Sequence, residues 1–473
     1  MVVQRDLPLH FWGWAAPDEK VAVAFHGVTR ETTADRLGSW SVWLPPEPAG
    51  GPYGLTVSGT NTIALDDVLV GDVWFASGQS NMEMPLKGFG AGTQVNRSAE
   101  EIAGANQPNI RLLLMKQKTS AYPLRDSDSA WTVCTPATAA NFSAVAYLFG
   151  RELANRERVP IGLIDSTWGG TVVEAWFSLD AIGADASLMP AIATRARMMD
   201  EQADVPAILA AERREDAEAK QAGRTPAEHV WRPNPESWGP AALFNGMIAP
   251  ATPFAIKGVI WYQGESNSRL AFAPMYERLF PALIKDWRAQ WREGNFPFLF
   301  VQISSFKSNA SEAYQVIREA QRRTLSVANT AMAVTIDIGN PDNVHPGDKQ
   351  TVAARLALAA RALAYGEQVE YSGPLFRQAT QEARGLRVWF DRVADGLRAK
   401  GGDIEGFEIA GEDRSFVKAT ASIDGATVVV ASPQVAAPKY VRYGWANAPA
   451  VNLYNSAGLP ASPFTSEDVI PAP

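Results

Sequence analysis

Residues 68–81 read Val-Leu-Val-Gly-Asp-Val-Trp-Phe-Ala-Ser-Gly-Gln-Ser-Asn. The apolar run at 68–75 has the length and composition of a buried parallel strand. The residues that follow favour a turn, so Ser80 is predicted to lie where a strand gives way to a helix. In open α/β sheets, ligands bind in the crevice at the carboxyl ends of the strands. The stretch therefore predicts an α/β fold with a candidate nucleophile at that edge of the sheet.

A second apolar run, residues 331–338, leads into a loop that reads Asp342, Asn343, Val344, His345 and Pro346. The chain has only four histidines, and His345 has a carboxylate three residues before it. A serine hydroxyl is a weak nucleophile, so an imidazole must take its proton and a carboxylate must orient that imidazole. Ser80, His345 and Asp342 are thus predicted to be the nucleophile, base and orienting acid of a serine hydrolase.

Between residues 67 and 365 short apolar runs alternate with helical patterns. Strands are predicted at 161–164, 256–262, 298–303 and 331–338, and helices at 275–291, 313–325, 348–363 and after a cap at Asn141. This alternation is typical of βαβ units with a parallel sheet. The charged stretch 193–221 is predicted to be a solvated helical excursion, and residues 231–238 a wall of the cleft.

The two ends of the chain have a different pattern. Residues 1–66 contain short alternating runs punctuated by Gly and Pro, which indicates β-sandwich material, and residues 366–473 return to short strands with Gly-rich turns. We predict three domains: a β-rich N-terminal domain at 1–66, a catalytic domain at 67–365 and a β-rich C-terminal domain at 366–473. The third could pack on the first.

Four ordered motifs carry a resemblance to a known family. They are Gly-Gln-Ser-Asn-Met-Glu-Met at 78–84, Trp-Gly-Gly-Thr at 168–171, Trp-Tyr-Gln-Gly-Glu-Ser-Asn at 261–267 and Asp-Asn-Val-His-Pro at 342–346. In that order they resemble the motifs of the sialate O-acetylesterase group of SGNH (GDSL-like) hydrolases, which also contains bacterial acetylxylan esterases. The resemblance covers nearly the whole chain, including 441–447 and 453–455. It implies an SGNH-hydrolase three-layer α/β/α domain with a parallel sheet, flanked by sandwich-like regions.

The resemblance assigns the same triad and adds an oxyanion hole. The hole would consist of the backbone of Ser80, the backbone of Gly170 and the side chain of Gln263. The general SGNH pattern has an asparagine in the third motif, where this chain offers Gln263 and Glu265. The further residues expected to line the site are Asn81, Trp168, Gly169 and Glu265.

Each motif taken alone has a simpler interpretation. The segment around Ser80 could be only a turn. The Asp-x-x-His arrangement at 342–345 could be a capping arrangement before the helix predicted at 348–363, and the glycine pair could be a tight connection. Gln263 and Glu265 could be a structural hydrogen-bond pair. Because all of these segments follow predicted strands of one sheet, catalysis is the better interpretation. His229, in a polar segment, is the one rival base and ranks below His345.

Composition excludes several classes of function. A net charge of -8 without a lysine or arginine block argues against binding to nucleic acid or anionic membranes. No apolar segment approaches the ~20 residues of a membrane span. The single cysteine, Cys134, gives no disulfide and no metal cluster, and no nucleotide-binding motif occurs, so neither a metal nor an organic cofactor is expected. The first residues show no signal segment, whereas the resemblance implies a periplasmic or secreted location.

The sequence thus predicts a serine esterase that removes O-acetyl groups from an acetylated carbohydrate, of the sialic acid or xylan type, through an acyl-enzyme. Four of the 15 tryptophans are expected at the active edge, where flat rings can stack on sugars: Trp168, Trp176, Trp238 and Trp261. Two alternatives stay open. One is an SGNH esterase acting on acyl lipids or thioesters, and the other is a catalytically silent carbohydrate-binding protein.

Overall fold

The computed structural model describes residues 1–90, 92–227, 229, 232 and 234–470. The N-terminal strands are β1 (Val2–Gln4), β2 (Leu9–Trp14), β3 (Lys20–Phe25), β4 (Val28–Thr33), β5 (Ser39–Leu44) and β6 (Gly50–Ser58). β3 pairs with β4 and β6, and β2 pairs separately with β5. The inner faces of these strands enclose one hydrophobic cluster that contains Phe11, Val23 and Leu55. No helix within the described ranges is long and apolar enough to cross a membrane.

The central strands are β7 (Thr62–Gly78), β8 (Gln107–Leu114), β9 (Thr132–Cys134), β10 (Ile161–Thr167), β11 (Gly258–Tyr262), β12 (Phe298–Val301) and β13 (Thr330–Ala333). Their order is β13-β12-β11-β7-β10-β8-β9, and all neighbours are parallel except β8 and β9. The sheet grows in both directions from β7, so the crevice for a ligand opens at the carboxyl end of β7. The predicted α/β class with a parallel sheet is confirmed.

β7 belongs to two parts of the molecule. Its first half pairs with β6 and β1, and its second half pairs with β10 and β11. Residues 62–67 are exposed and 68–78 are buried, so the strand passes from a sheet surface into the core. The predicted boundary between residues 66 and 67 coincides with this change and lies inside one continuous strand. The division into three domains stays a prediction, supported by three separate hydrophobic clusters.

Helices cover the sheet and extend beyond it. They are α1 (Ser80–Glu83), α2 (Ser98–Ala103), α3 (Pro136–Ala139), α4 (Ala144–Glu157), α5 (Leu179–Ala184), α6 (Met189–Asp200), α7 (Val205–Gln221), α8 (Tyr276–Trp291), α9 (Tyr314–Thr324) and α10 (Lys349–Leu363). α6 and α7 form the predicted charged excursion. The cap of α4 is Ser143 rather than Asn141, because the Ser143 hydroxyl accepts the Ala146 N–H at 3.1 Å.

The strand predicted at 331–338 is shorter in the structure. β13 ends at Ala333, and the next carbonyl, that of Val334, accepts a hydrogen bond from the guanidinium of Arg355 at 2.6 Å instead of a strand neighbour. The chain then runs as a loop to α10. Asp348 caps that helix by accepting the Thr351 N–H at 3.0 Å, so Asp342 is not its cap.

The C-terminal region contains β14 (Leu375–Glu382), β15 (Gly385–Asp391), β16 (Leu397–Ala399), β17 (Phe407–Ala410), β18 (Val417–Lys418), β19 (Thr420–Asp424), β20 (Thr427–Ala431), β21 (Tyr440–Tyr443), β22 (Leu453–Asn455) and β23 (Phe464–Thr465). Its hydrophobic cluster shares no residue with that of the N-terminal region. The buried Arg318 of α9 donates to the carbonyls of Ala446 and Asn447, both at 2.7 Å. The region therefore packs on the central domain.

Candidate active site

Ser80 begins α1 directly after β7. Gly78, two residues earlier, has φ +134°, and a Cβ there would lie 2.2 Å from the carbonyl oxygen of Tyr262. Only glycine lets the ends of β7 and β11 approach this closely. The Gln79 N–H then donates to the same Tyr262 oxygen at 3.0 Å. This close approach fixes the position from which Ser80 enters the cleft.

A cleft of about 810 Å³ opens at this edge of the sheet. It is lined by Ser80 after β7, by Gly169 and Gly170 after β10, by Glu265 after β11 and by His345 from the loop before α10. The structure therefore brings together residues from all four motifs. The outermost two, Ser80 and His345, are 265 positions apart in the sequence. The residues near Ser80, Gly170 and Glu265 directly follow strand ends, as the parallel sheet predicts, and His345 comes from the loop between β13 and α10.

Two of the four tryptophans predicted at this edge line the cleft. Trp168 and Trp238 lie in its wall, whereas Trp176 and Trp261 are fully buried. The rings of Trp176 and Trp261 pack edge to face, with centroids 5.9 Å apart, inside the hydrophobic core. For these two the predicted stacking on a sugar is wrong, because their rings are buried in the hydrophobic core. Trp231, in the predicted cleft wall, lies outside the described residues.

Two backbone N–H groups are available beside Ser80. The N–H groups of Ser80 and Gly170 donate no hydrogen bond to any described residue, and both residues line the cleft. Trp238 holds the Gly170 peptide by donating its indole N–H to the carbonyl at 2.7 Å. Glu83, which the sequence analysis did not select, accepts the N–H of Gly169. The arrangement presents two donors to a developing oxyanion.

Gln263 does not face Ser80. Its side-chain amide donates to the carbonyl of Thr171 at 3.2 Å and to Asn267 Oδ1 at 2.7 Å, and its Oε1 accepts the Tyr276 hydroxyl at 2.9 Å. The residue is fully buried and does not line the cleft. The predicted role as an oxyanion donor does not fit this geometry. Gln263 instead supports the loop that carries Gly170.

His345 and Asp342 are not brought together. The Asp342 side chain is 81% exposed, and its carboxylate lies 3.4 Å from the ammonium of Lys307. The His345 ring lies in the cleft against Phe89, with ring centroids 5.3 Å apart. The carboxylate of Asp342 pairs with Lys307 and makes no hydrogen bond or ion pair with this ring. The rival base His229 bonds Asp216 at 2.9 Å and does not line the cleft.

A buried polar network links the serine helix to the histidine loop. Asn81 donates to Glu265 Oε1 at 2.6 Å and to the carbonyl of Val344 at 2.9 Å, and it accepts from the ammonium of Lys349 at 2.7 Å. Asn81, Glu265 and Lys349 are all buried. Because Val344 precedes His345, Asn81 fixes the spacing between the two catalytic candidates. Lys349 escaped the sequence analysis because no motif marks it.

Burial and the charge of Lys349 together set the protonation state of the imidazole. Burial raises the pKa of Glu265 and lowers the pKa of Lys349 to about 7. Burial, and then the positive charge of Lys349, lowers the pKa of His345 to about 4. His345 is therefore neutral at neutral and mildly acid pH, which is the form that accepts a proton.

We expect Lys349→Met to move the acid limb of the kcat/KM profile to higher pH. A base loses activity as the pH falls through its pKa, and removing the ammonium removes one cause of the lowered pKa of His345. Initial rates between pH 3.5 and about 8 measure the limb. Lys118→Met is the matched control, since that ammonium is exposed and pairs with Asp128. An unmoved limb in a folded Lys349→Met variant would contradict the coupling.

Comparison with known proteins agrees with this fold. A family model described as carbohydrate esterase, sialic acid-specific acetylesterase, matches residues 222–364. The sialate O-acetylesterase of Mus musculus is 33% identical over 421 residues, which cover 79% of this chain and 74% of the relative. The sialate O-acetylesterase of Rattus norvegicus is 32% identical over 522 residues, which cover 98% of this chain and 92% of the relative. The crystal structure of a carbohydrate acetylesterase from Xanthomonas citri superposes with a TM-score of 0.84 at 38% identity, over 99% of this chain and 97% of the other.

Fold and comparisons together define the class as a carbohydrate esterase with an SGNH-like fold. The extent and identity of the matches make the assignment more specific. The chain belongs to the sialate O-acetylesterase family.

Proposed function

We propose that the protein hydrolyses O-acetyl esters of a carbohydrate, with Ser80 as the nucleophile and His345 as the base. The observation that carries this proposal is the cleft that holds Ser80, a neutral imidazole and the free N–H groups of Ser80 and Gly170. His345 takes the proton of Ser80 as the oxygen attacks the acetyl carbonyl, and the two N–H groups receive the oxyanion. The imidazolium then protonates the departing sugar oxygen, which leaves as a hydroxyl, and water cleaves the acetyl-enzyme by the same route.

The cleft wall supports a sugar as the alcohol part of the ester. Trp168 is half-buried and offers ring surface, and Glu265 has a buried Oε2 without a hydrogen-bond partner in the described part of the chain. Trp238 also lines the cleft, but it is buried and fixes the Gly170 peptide instead. Arg269 lines the cleft with an exposed side chain, which favours a sugar that carries a carboxylate. Both the sialic acid and the xylan type of substrate stay candidates.

Acetate release from a panel of acetylated sugars tests this function. We expect release from acetylated sialic acid, acetylated xylan or both, and we expect p-nitrophenyl acetate to be cleaved faster than the butyrate and much faster than the octanoate. A lipid esterase would instead gain ~0.8 kcal/mol for each methylene buried. Rates that rise along the acyl series would favour the acyl-lipid alternative. Glycan binding without any acetate release would favour the silent binding protein.

Asp342→Asn tests whether the predicted triad forms during catalysis. With its carboxylate in solvent beside Lys307, we expect kcat to fall by about tenfold or less, against the ~10⁴ that follows loss of the orienting aspartate in a closed triad. Steady-state rates on p-nitrophenyl acetate measure the effect, with Asp348→Asn as a control for the charge of this loop. A loss near 10⁴ would show that Asp342 turns onto His345 in the working enzyme.

The periplasmic or secreted location implied by the family stays a proposal. It is supported by the membership in the sialate O-acetylesterase family alone. Fractionation of the source cells, with esterase activity measured in each fraction, tests it. Activity confined to the cytoplasmic fraction would contradict it.

A further inference from the structure

A second pocket begins with an unusual face of β2. Leu9 and Phe11 point into the N-terminal core, and His10, Trp12 and Trp14 alternate with them on the opposite face. In an antiparallel sheet the face away from the core ordinarily carries polar side chains. Here that face is aromatic. His10 and Trp12 are half-buried against the central domain, whereas Trp14 is 48% exposed. Exposed aromatic surface of this kind is a feature of binding sites.

This face forms one wall of a pocket of about 420 Å³ between the N-terminal region and the central domain. Residues 123–125, 178–180 and 244–245 supply the other walls. Trp40 lies across Gly13, where a Cβ would approach its ring to 2.7 Å, so glycine leaves room for the ring. The guanidinium of Arg125 lies 5.9 Å from the ring centroid of Trp14. A cavity of this size with aromatic walls, between two structural units, is typical of a small-ligand site.

One of the residues that line the pocket carries an unsatisfied polar group. Asn245 lies in the π-helical turn Phe244–Ile248, a geometry that is common at functional sites. Its side-chain N–H group donates to the carbonyl of Ser120 at 3.2 Å, while its buried Oδ1 accepts no hydrogen bond from the residues described. A buried acceptor without a donor costs free energy that a ligand hydroxyl can restore. The same residue lines the pocket.

We propose that this pocket binds a sugar ring of the glycan chain whose acetyl ester is cleaved at Ser80. A pyranose combines an apolar face with a rim of hydroxyls, which matches tryptophan rings beside an unpaired amide oxygen. The inference rests on the proposed carbohydrate substrate. The pocket lies near the active site, because Gln117 lines the cleft and Pro123, six residues later, lines this pocket. Six residues span at most about 22 Å, which limits the separation of these two lining residues and favours a polymeric substrate over a single sugar.

Direct binding to unacetylated oligosaccharides tests the pocket independently of ester hydrolysis. Tryptophan fluorescence of the full chain is titrated with xylohexaose and, separately, with sialyllactose. We expect a saturable change with at least one of the two, weakened about tenfold or more in Trp14→Ala, as for loss of an aromatic anchor. The matched control is Trp389→Ala in β15, which lies in the C-terminal region and should bind like the unaltered protein.

The outcomes separate this inference from the proposed function. No saturable binding to either oligosaccharide, or equal binding by folded Trp14→Ala, overturns the pocket. Asn245→Leu provides a second variant that keeps the aromatic face, and its binding should also weaken. Trp14-dependent binding by a protein that releases no acetate from any substrate would support the sugar-binding pocket and contradict the esterase function. Acetate release combined with binding that does not depend on Trp14 would support the esterase function and contradict the pocket.

Discussion

Ser80→Ala is expected to lower kcat on p-nitrophenyl acetate by about 10³ to 10⁶, the range found when a serine nucleophile is removed. The hydroxyl is the only nucleophile that this mechanism places beside the free N–H groups of Ser80 and Gly170. Removal of one oxygen from a half-buried residue at the start of α1 should leave the fold intact. Steady-state kinetics and a thermal melt measure both consequences.

A matched control separates the nucleophile from a general effect of losing a serine. Ser311→Ala removes an exposed hydroxyl whose only described hydrogen bond is to Asn309, and it should retain full activity. Acetate that remains on Ser80 after rapid quenching, detected as added mass on the intact chain, would identify the acyl-enzyme. Near-normal turnover by a folded Ser80→Ala variant would remove the mechanism.

His345→Ala should cause a loss in the same range, about 10³ to 10⁶, because no other imidazole lies in the cleft. His229 is engaged with Asp216, and His10 and His26 belong to the N-terminal region. The double variant with Ser80→Ala should be little worse than either single variant, since nucleophile and base act as a unit. Initial rates of the three variants under one set of conditions give this comparison.

If the losses of kcat in Ser80→Ala and His345→Ala were additive in the double variant, a proton transfer shared by the two residues would be contradicted. His229→Ala is the control, because its ring lies outside the cleft and pairs with Asp216. Partial recovery of His345→Ala by free imidazole would place the lost function at the ring itself. Unchanged activity in His345→Ala would require a different base.

The strands of the central sheet could be predicted because they depend on the local pattern of apolar residues. The apolar run before Ser80 becomes β7, and the runs near 161 and 258 become β10 and β11, since uninterrupted apolar residues are buried on both faces of a parallel sheet. The predicted end of β13, the last strand of this sheet, was wrong. There Arg355, 21 residues further on, takes the carbonyl of Val334, and a window of local sequence carries no sign of that bond.

Within the site, the sequence by itself determined which segments meet. Ser80, Gly170 and His345 each follow a strand of one parallel sheet, and the connectivity of such a sheet places its strand ends at one edge. Glycine at position 78 was also readable as a turn residue, although its reason, the close approach to Tyr262, requires the neighbouring strand.

Only the tertiary structure decided the direction and burial of the side chains at that edge. Gln263 turns to the carbonyl of Thr171, Asp342 lies in solvent beside Lys307, and Trp261 packs in the core. Lys349 reaches Asn81 across 268 positions of sequence and lowers the pKa of His345. The physical reason is that strand pattern reflects hydrophobic burial of neighbouring residues, whereas hydrogen bonds and charge effects depend on short distances between groups that the fold alone brings together.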